Sequence, residues 1–312
     1  MKHLTIISVA LLSFCLFSCN KDDLSGISPS STLINFEGEG GQKKISFTNG
    51  DWEIAKVVNQ NNNQKIFGDI YSINGNIVQR NHLLELDSLG RLEAVWSDKG
   101  FKIIRKTPTS IEVRLRENFT KKDFGFTIVL KSDKDLKRIK VNQKPSQGYK
   151  VESIKYTLEE NDGDSIFSKL ENPNSFDINA SISPTVSFPP FVNNIEISQF
   201  ESDEGSAFPW KQADSVMVKV PTKISGNKVL TNGEESPYSD ESIVKDSKFK
   251  NKQTPKITIP LGKSKFFIKK EYRKRRVTYT LRLINNRTHK SKIVTGKWIE
   301  TAPTGNYEID WK

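Results

Sequence analysis

Short runs of strand-forming residues, separated by turn residues, recur along almost the whole of this chain. Clear examples are the alternating segments at residues 44–48, 110–116 and 277–283. Gly, Pro and Asn punctuate such runs about every ten residues, a spacing typical of all-β proteins. No long stretch places apolar residues at helical spacing. The pattern therefore predicts an all-β protein built from β-sandwiches.

The length of the chain and one break within it predict two tandem domains. The chain has 312 residues, whereas a single domain usually has about 100–200. Pro and Gly at residues 145–148 interrupt the strand pattern. We therefore expect a β-sandwich domain at residues 31–146 and a second, β-sandwich-like domain at residues 150–312. The second resembles no family that we recognise.

The first residues have the pattern of a secretion signal. Lys2 and His3 precede an apolar stretch at residues 4–17, as the charged and apolar regions of a signal peptide do. The stretch is shorter than the about 20 residues of a transmembrane helix. We expect a signal peptide at residues 1–18, followed by an anchor and tether at residues 19–30.

Both cysteines of the chain lie in this region, at positions 15 and 19. The sequence LFSC at residues 16–19 resembles a bacterial lipobox, which implies that Cys19 becomes the lipidated first residue. Lys21, Asp22 and Asp23 resemble the acidic export signal of surface lipoproteins in Bacteroidetes-type bacteria; an ordinary solvated linker is the alternative. The expected location is therefore the outer membrane, with a lipid anchor and an outward-facing body.

The composition after residue 19 excludes several kinds of chemistry. Without cysteine, the mature chain has no disulfide, thiolate metal site or cysteine nucleophile. His82 and His289 lie outside any zinc-binding spacing, and no nucleotide-binding or hydrolase motif occurs. We expect no enzyme activity, no metal and no cofactor.

The first predicted domain resembles a known family. The residues that carry the resemblance are, in chain order, Gly40-Gly41, the hairpin signal Asn49-Gly50, Trp52, Glu117-Asn118 and Ile139-x-Val141-x-Gln143. Their order resembles the BACON domain, an immunoglobulin-like β-sandwich of Bacteroidetes surface proteins. Residues 56–108 are longer than the family pattern. The resemblance implies an immunoglobulin-like fold that either binds carbohydrate or mucin or serves as a spacer, and it assigns no binding residue.

A basic segment at residues 263–276 is one candidate ligand site. It has eight basic residues and one acid. Arginine forks recognise sulfate and carboxylate, so the segment predicts acidic glycans as ligands. The alternative is a solvated hairpin turn at residues 273–275, with lysines that guard an edge strand. The candidate contacts are Lys269, Tyr272, Arg273 and Arg275.

The tryptophans provide a second candidate. Trp210 lies in a Pro-rich loop, where an exposed indole ring could stack on a sugar. Trp96, Trp298 and Trp311 follow strand patterns, so we expect them in the core.

The sequence thus predicts a non-enzymatic surface lipoprotein that binds host or dietary glycans or mucin. A structural or assembly lipoprotein that contacts other outer-membrane proteins is the alternative, with the BACON-like domain as a spacer. A glycosidase, which needs two carboxylates, is a third hypothesis. It rests on Glu201, Asp203 and Glu204 beside Phe208, where a plain acidic loop is the other interpretation. Nucleic acid is not an expected partner.

Overall fold

The computed structural model describes residues 26–312, apart from residues 134, 172, 212–215, 251 and 253. The signal peptide, Cys19 and the export residues Lys21, Asp22 and Asp23 lie outside the described residues. Within the described part, the secondary structure is β-strand with one short 3₁₀ turn at Pro209–Lys211. The all-β prediction is confirmed. Among these residues, no helix is long and apolar enough to cross a membrane.

Ten strands precede residue 145, and we call them the first domain. They are β1 (Leu33–Phe36), β2 (Gly41–Ser46), β3 (Glu53–Asn59), β4 (Phe67–Ser72), β5 (Ile77–Leu83), β6 (Gly90–Val95), β7 (Gly100–Thr107), β8 (Ser110–Leu115), β9 (Phe124–Lys131) and β10 (Leu136–Gln143). One sheet has the order β1-β10-β9-β3, and the other has the order β2-β8-β7-β6-β4-β5. Strand β1 pairs with β10 in parallel, and the other pairs of these two sheets are antiparallel.

The two sheets of the first domain enclose one apolar core. Alternate residues of β6, β7 and β8 point into it, among them Leu92, Ile103 and Val113, which are fully buried. Phe101 from one sheet stacks on Phe126 from the other, with ring centroids 4.0 Å apart. This alternation leaves the other residues of each strand on the outer face of the sheet.

Thirteen strands follow, and we call them the second domain. They are β11 (Tyr149–Thr157), β12 (Gly163–Leu170), β13 (Asn174–Ile178), β14 (Thr185–Ser187), β15 (Ile195–Glu201), β16 (Met217–Lys219), β17 (Lys223–Ser225), β18 (Lys228–Leu230), β19 (Glu235–Pro237), β20 (Ile243–Asp246), β21 (Lys256–Thr258), β22 (Gly262–Asn285) and β23 (Ser291–Trp311). The main sheet has the order β11-β22-β23-β15-β20, and β12 and β13 also pair with β22. The polar segment at residues 225–255 contains three short strands, β18, β19 and β20.

The predicted turn at residues 273–275 is wrong, because these residues lie in the middle of β22. The strand runs on past its basic residues since carboxylates of neighbouring strands pair with them. Arg275 pairs with Asp164 of β12, and Arg273 pairs with Glu300 of β23. The real turn lies between β22 and β23, at residues 286–290.

A bulge divides the pairing of the two long strands into two stretches. Phe266 and Ile268 are buried at even positions, whereas Val277 and Tyr279 are buried at odd positions. The register with β23 shifts between these stretches, at Lys270 and Tyr272. Glu271 of β22 lies opposite three residues of β23, at positions 304–306, so the two stretches pair with β23 in registers that differ by two residues.

Glu271 stabilises this bulge with two hydrogen bonds. Its carboxylate accepts hydrogen bonds from Thr304 Oγ1 at 2.7 Å and from Asn306 Nδ2 at 2.9 Å. The bond from Thr304, and then the bond from Asn306, lower the pKa of Glu271. Gly305 lies between the two donors with φ +94°, a conformation that favours glycine.

A joint of hydrogen bonds and apolar packing connects the two domains. The Glu117 carboxylate accepts hydrogen bonds from Ser146 Oγ at 2.6 Å and Tyr149 Oη at 2.7 Å. Phe119 belongs to the first domain by sequence, but it packs in the core of the second. Arg287 of the β22–β23 turn pairs with Glu39 across the joint.

Replacement of Gly305 by alanine tests the bulge. A Cβ at this position would lie 2.6 Å from Cε1 of Phe249, and the residue would also be strained by its φ. Gly262 has φ +80° and open space around a Cβ, so Gly262→Ala is a matched control for strain alone. We expect Gly262→Ala to lower the free energy of unfolding by about 1 kcal/mol. Gly305→Ala should lower it by roughly 1–3 kcal/mol more in urea unfolding. Equal losses would contradict this account of the bulge.

Candidate functional site

Trp210 is not an exposed platform. Its side chain is 3% exposed, and its indole Nε1 donates a hydrogen bond to the Ala207 carbonyl at 2.5 Å. The ring packs against Tyr149 and Tyr238, with centroids 6.2 and 5.8 Å away. The prediction that a Pro-rich loop exposes this indole is wrong, because the loop folds back and Trp210 completes the core of the second domain.

The basic segment does not form one exposed cationic surface. Arg275 is only 2% exposed, and its Nε and Nη2 donate to the two oxygens of Asp164 at 2.7 and 2.8 Å. Arg273 pairs with Glu300, and Lys269 pairs with Glu308 at 3.3 Å. Both guanidinium forks are thus engaged within the protein, which leaves neither open to a sulfate or carboxylate ligand.

Tyr272, the remaining residue of that prediction, has a different environment. Its hydroxyl contacts the Asn194 amide, and its ring stacks on Phe167 with centroids 5.7 Å apart. Burial raises the pKa of Tyr272. The residue contributes to the packing of β12 beside β22.

Two acidic residues of the glycosidase hypothesis, Glu201 and Glu204, accept hydrogen bonds from other groups of the protein. The Glu204 carboxylate accepts hydrogen bonds from Thr295 N at 2.9 Å and Thr295 Oγ1 at 3.0 Å. The Glu201 carboxylate accepts one from Gln199 Nε2 at 2.7 Å. The bonds of Glu204 connect the loop after β15 to β23, whereas the bond of Glu201 lies within β15. Both carboxylates are thus engaged within the protein, which supports the interpretation as a structural acidic loop.

A groove on the outer face of the six-stranded sheet is a stronger candidate. It has a volume of about 640 Å³, within the usual range for small-ligand sites. We call it the outer-face groove. Its lining residues are Phe67, Gly68, Asp69, Tyr71, Asn81, Glu93, Val95, Trp96, Lys102 and Arg116.

The period of the strands explains why these side chains meet. In β4, Phe67, Asp69 and Tyr71 alternate with Ile70, which is buried in the core. Asp69 lies opposite Glu93 of β6, and Glu93 lies opposite Lys102 of β7. Residues in register on one face of a sheet are near neighbours, so the lining forms a continuous row across three strands.

A bulge beside the groove shapes its edge. The register between β4 and β5 shifts after Gly68, and Asn81 has φ +45°. The Asp69 carboxylate accepts a hydrogen bond from the Asn81 backbone N–H at 2.9 Å. Bulges are frequent next to binding sites because they re-aim side chains. Here the bulge places Asn81 in the lining of the groove.

The charged side chains at the groove form ion pairs with one another. Lys102 Nζ lies 2.8 Å from one oxygen of Glu93, and Arg91 Nε lies 3.4 Å from the other. The guanidinium of Arg91 lies over the ring of Tyr71, 3.8 Å from its centroid. The lining itself contains two carboxylates, those of Asp69 and Glu93, and two cationic side chains, those of Lys102 and Arg116, so the charges of the lining balance.

Two aromatic rings at the groove are open to solvent. Phe67 is 55% exposed. Trp96 is 38% exposed, although it was expected in the core, and its ring is fixed by contacts with Phe101 and Phe124 at 6.2 and 5.9 Å. Rigid aromatic faces next to hydrogen-bonding groups suit a ligand with apolar and polar faces, such as a sugar ring.

Sequence reasoning missed this groove although a signal was present. Phe67, Asp69 and Tyr71 occupy alternate positions of a short strand, which predicts that they share one face. The neighbours of that strand could not be predicted, because β4 pairs with β6 and β5 rather than with the strand before it.

Comparisons with known proteins identify no family. No family model matches the chain, and no curated protein matches it. Among solved structures, the chain is similar to a Bacteroides thetaiotaomicron protein solved by NMR, with 13% identity and a TM-score of 0.26, covering 39% of this chain and 89% of that one. It is similar to an aerolysin-like protein of Bombina maxima, with 10% identity and a TM-score of 0.26, covering 51% and 97%. It is also similar to a lamprey immune protein, with 13% identity and a TM-score of 0.33, covering 88% and 98%.

The hydrogen bond that fixes the bulge can be tested directly. Asp69→Ala removes the acceptor of the Asn81 amide, whereas Asp69→Asn keeps an oxygen there. Since such a bond contributes about 1 kcal/mol, we expect hydrogen exchange at the Asn81 amide to speed up roughly fivefold in Asp69→Ala. Exchange in Asp69→Asn should stay near that of the unmodified protein. Unchanged exchange in both variants would contradict the role of Asp69.

Proposed function

We propose that this chain is a non-enzymatic surface lipoprotein that binds carbohydrate in the outer-face groove. The observation that carries the proposal is the pair of exposed rings, Phe67 and Trp96, beside hydrogen-bonding groups whose charges balance. Lipidation of Cys19 would hold the protein at the outer membrane with the groove outside the cell.

The partners of the groove carboxylates support binding rather than catalysis. Glu93 is held by Lys102, and Asp69 is held by the backbone of Asn81. Groups fixed in this way are ready to accept hydrogen bonds from hydroxyls without rearrangement, which lowers the entropic cost of binding.

A glycan array tests this function. Residues 24–312, without the lipid, are applied to neutral and acidic glycans, and hits are quantified by calorimetry. We expect Phe67→Ala and Trp96→Ala each to weaken binding about tenfold or more, as loss of an aromatic contact of 1.4–2 kcal/mol would. Leu136→Ala is the matched control, because Leu136 is equally exposed on the other sheet of the same domain.

Two results would contradict the function. Binding that both groove variants retain would place the sugar elsewhere. Binding to no glycan would favour the assembly role that the sequence left open.

A second function, insertion into a lipid bilayer, is favoured by one segment of the second domain. Residues 176–188 alternate apolar and polar side chains without a break. Alternation over about ten residues is the pattern of strands that face lipid on one side. Only the ends of the segment lie in strands, in β13 and β14, and Ile182 between them is 81% exposed. The alternation is therefore longer than the described fold requires.

Release of a dye from phosphatidylcholine vesicles tests the second function. We expect the unmodified protein to release dye, and Ile182→Asn, on the apolar face, to abolish release. Ser181→Asn, an equally exposed change on the polar face, is the matched control and should leave release unchanged. Equal loss in both variants, or no release by the unmodified protein, would reject insertion.

A further inference from the structure

We infer that the outer-face groove continues into a cleft between the two domains, and that the ligand is a neutral oligosaccharide that spans both. This inference rests on the proposed carbohydrate function and deepens it. The cleft has a volume of about 620 Å³. Its lining residues are Ser97, Asp98, Phe200, Glu201, Ser202, Glu204, Gly205, Phe208, Pro209, Lys211 and Asp240.

One tight turn connects the groove to the cleft. Trp96 lines the groove, and the next two residues, Ser97 and Asp98, line the cleft. The turn is closed by a hydrogen bond from Trp96 N to the Lys99 carbonyl at 3.0 Å. Since consecutive Cα atoms lie about 3.8 Å apart, the residues that border the groove and the cleft are immediate neighbours at this turn.

The same turn is attached to the second domain. The Phe119 backbone N–H donates a hydrogen bond to the Asp98 carbonyl at 2.8 Å. The Phe119 side chain packs in the core of the second domain, with Lys292 Nζ 5.5 Å from its ring. The wall formed by Ser97 and Asp98 is therefore held in place against the wall formed by the second domain.

The opposite wall offers another fixed aromatic ring. Phe208 stacks on Tyr238, with centroids 5.0 Å apart and ring planes 24° apart. Lys211 Nζ lies 5.6 Å from the Phe208 centroid and is held by Asp240 at 3.2 Å. The cleft thus repeats the arrangement of the groove, a supported ring beside hydrogen-bonding groups.

The charges select the class of ligand. The lining of the cleft has four carboxylates, those of Asp98, Glu201, Glu204 and Asp240, and one ammonium, that of Lys211. The groove is balanced, so the combined surface is negative and repels sulfated or sialylated chains. Neutral glycans avoid this electrostatic repulsion. The acidic glycans expected from the basic segment are therefore not the ligands of this surface.

The two volumes set the length of the ligand. Each is within the range of about 300–1,000 Å³ for a site that holds one small ligand. A disaccharide is accommodated by the groove alone, whereas a longer chain engages both and gains the contacts of Phe208. Affinity should therefore rise with chain length.

Calorimetry with neutral oligosaccharides tests the inference. The probes are di- to hexasaccharides of cellulose and of mannan, with a sulfated cellohexaose as the acidic comparison. We expect a neutral hexasaccharide to bind about tenfold more tightly than its disaccharide, and the sulfated chain to bind more weakly. Phe208→Ala should remove the gain for the hexasaccharide and leave the disaccharide unchanged, whereas Phe67→Ala should weaken both.

A second variant separates loss of contact from loss of folding. Gly205 lines the cleft, and a Cβ there would meet no atom within 4 Å, so Gly205→Leu adds a bulky side chain at the cleft without a clash at its Cβ. We expect it to remove the gain for the hexasaccharide as Phe208→Ala does. Leu136→Ala should bind all probes as the unmodified protein does.

The outcomes distinguish this inference from the function on which it rests. If Phe67→Ala weakens both probes while Phe208→Ala and Gly205→Leu change neither, the groove binds sugar but the cleft does not. Tighter binding of the sulfated chain would overturn the neutral class. Absence of binding by every probe would overturn the cleft and count against the groove.

Discussion

The packing of the two sheets of the first domain is the interaction on which its outer surface depends. The stacked rings of Phe101 and Phe126, 4.0 Å apart, lie at the centre of this packing. Because strand side chains alternate, each residue that the core takes inward places its neighbours outward. Burial of Leu92 and Ala94 in β6 therefore fixes Glu93 and Val95 on the opposite face. The groove is thus a consequence of core packing.

Much of the fold was accessible from the sequence, because period-two alternation is a local signal. The alternating residues 110–115 and 277–283 lie in strands β8 and β22, as the pattern predicts. The predicted turn at residues 273–275 was wrong for a non-local reason. A run of basic residues indicates a solvent-exposed segment only if no acidic side chains face it. Here Asp164 and Glu300, which lie on strands distant in sequence, pair with the run.

The candidate site was less predictable than the fold. Trp210 stood out because of its Pro-rich neighbourhood, but the 3₁₀ turn at Pro209–Lys211 directs it into the core. Phe67 and Trp96 lie 29 positions apart in the sequence, and only the crossover that places β4 beside β6 brings them to one groove. The turn after Trp96 then connects the groove to the second domain. Phe119 makes this connection, because its backbone is hydrogen-bonded to the turn and its side chain packs in the core of the second domain.

Nuclear magnetic resonance of the five indole N–H groups tests directly whether the outer-face groove is the carbohydrate site. The tryptophans are spread over both domains, and Trp52, Trp210 and Trp298 are buried. During titration with a glycan that binds, the account predicts that the indole signal of Trp96 shifts while the signals of these three stay in place. A bound sugar that leaves the Trp96 signal unchanged would contradict the assignment of the outer-face groove as the carbohydrate site.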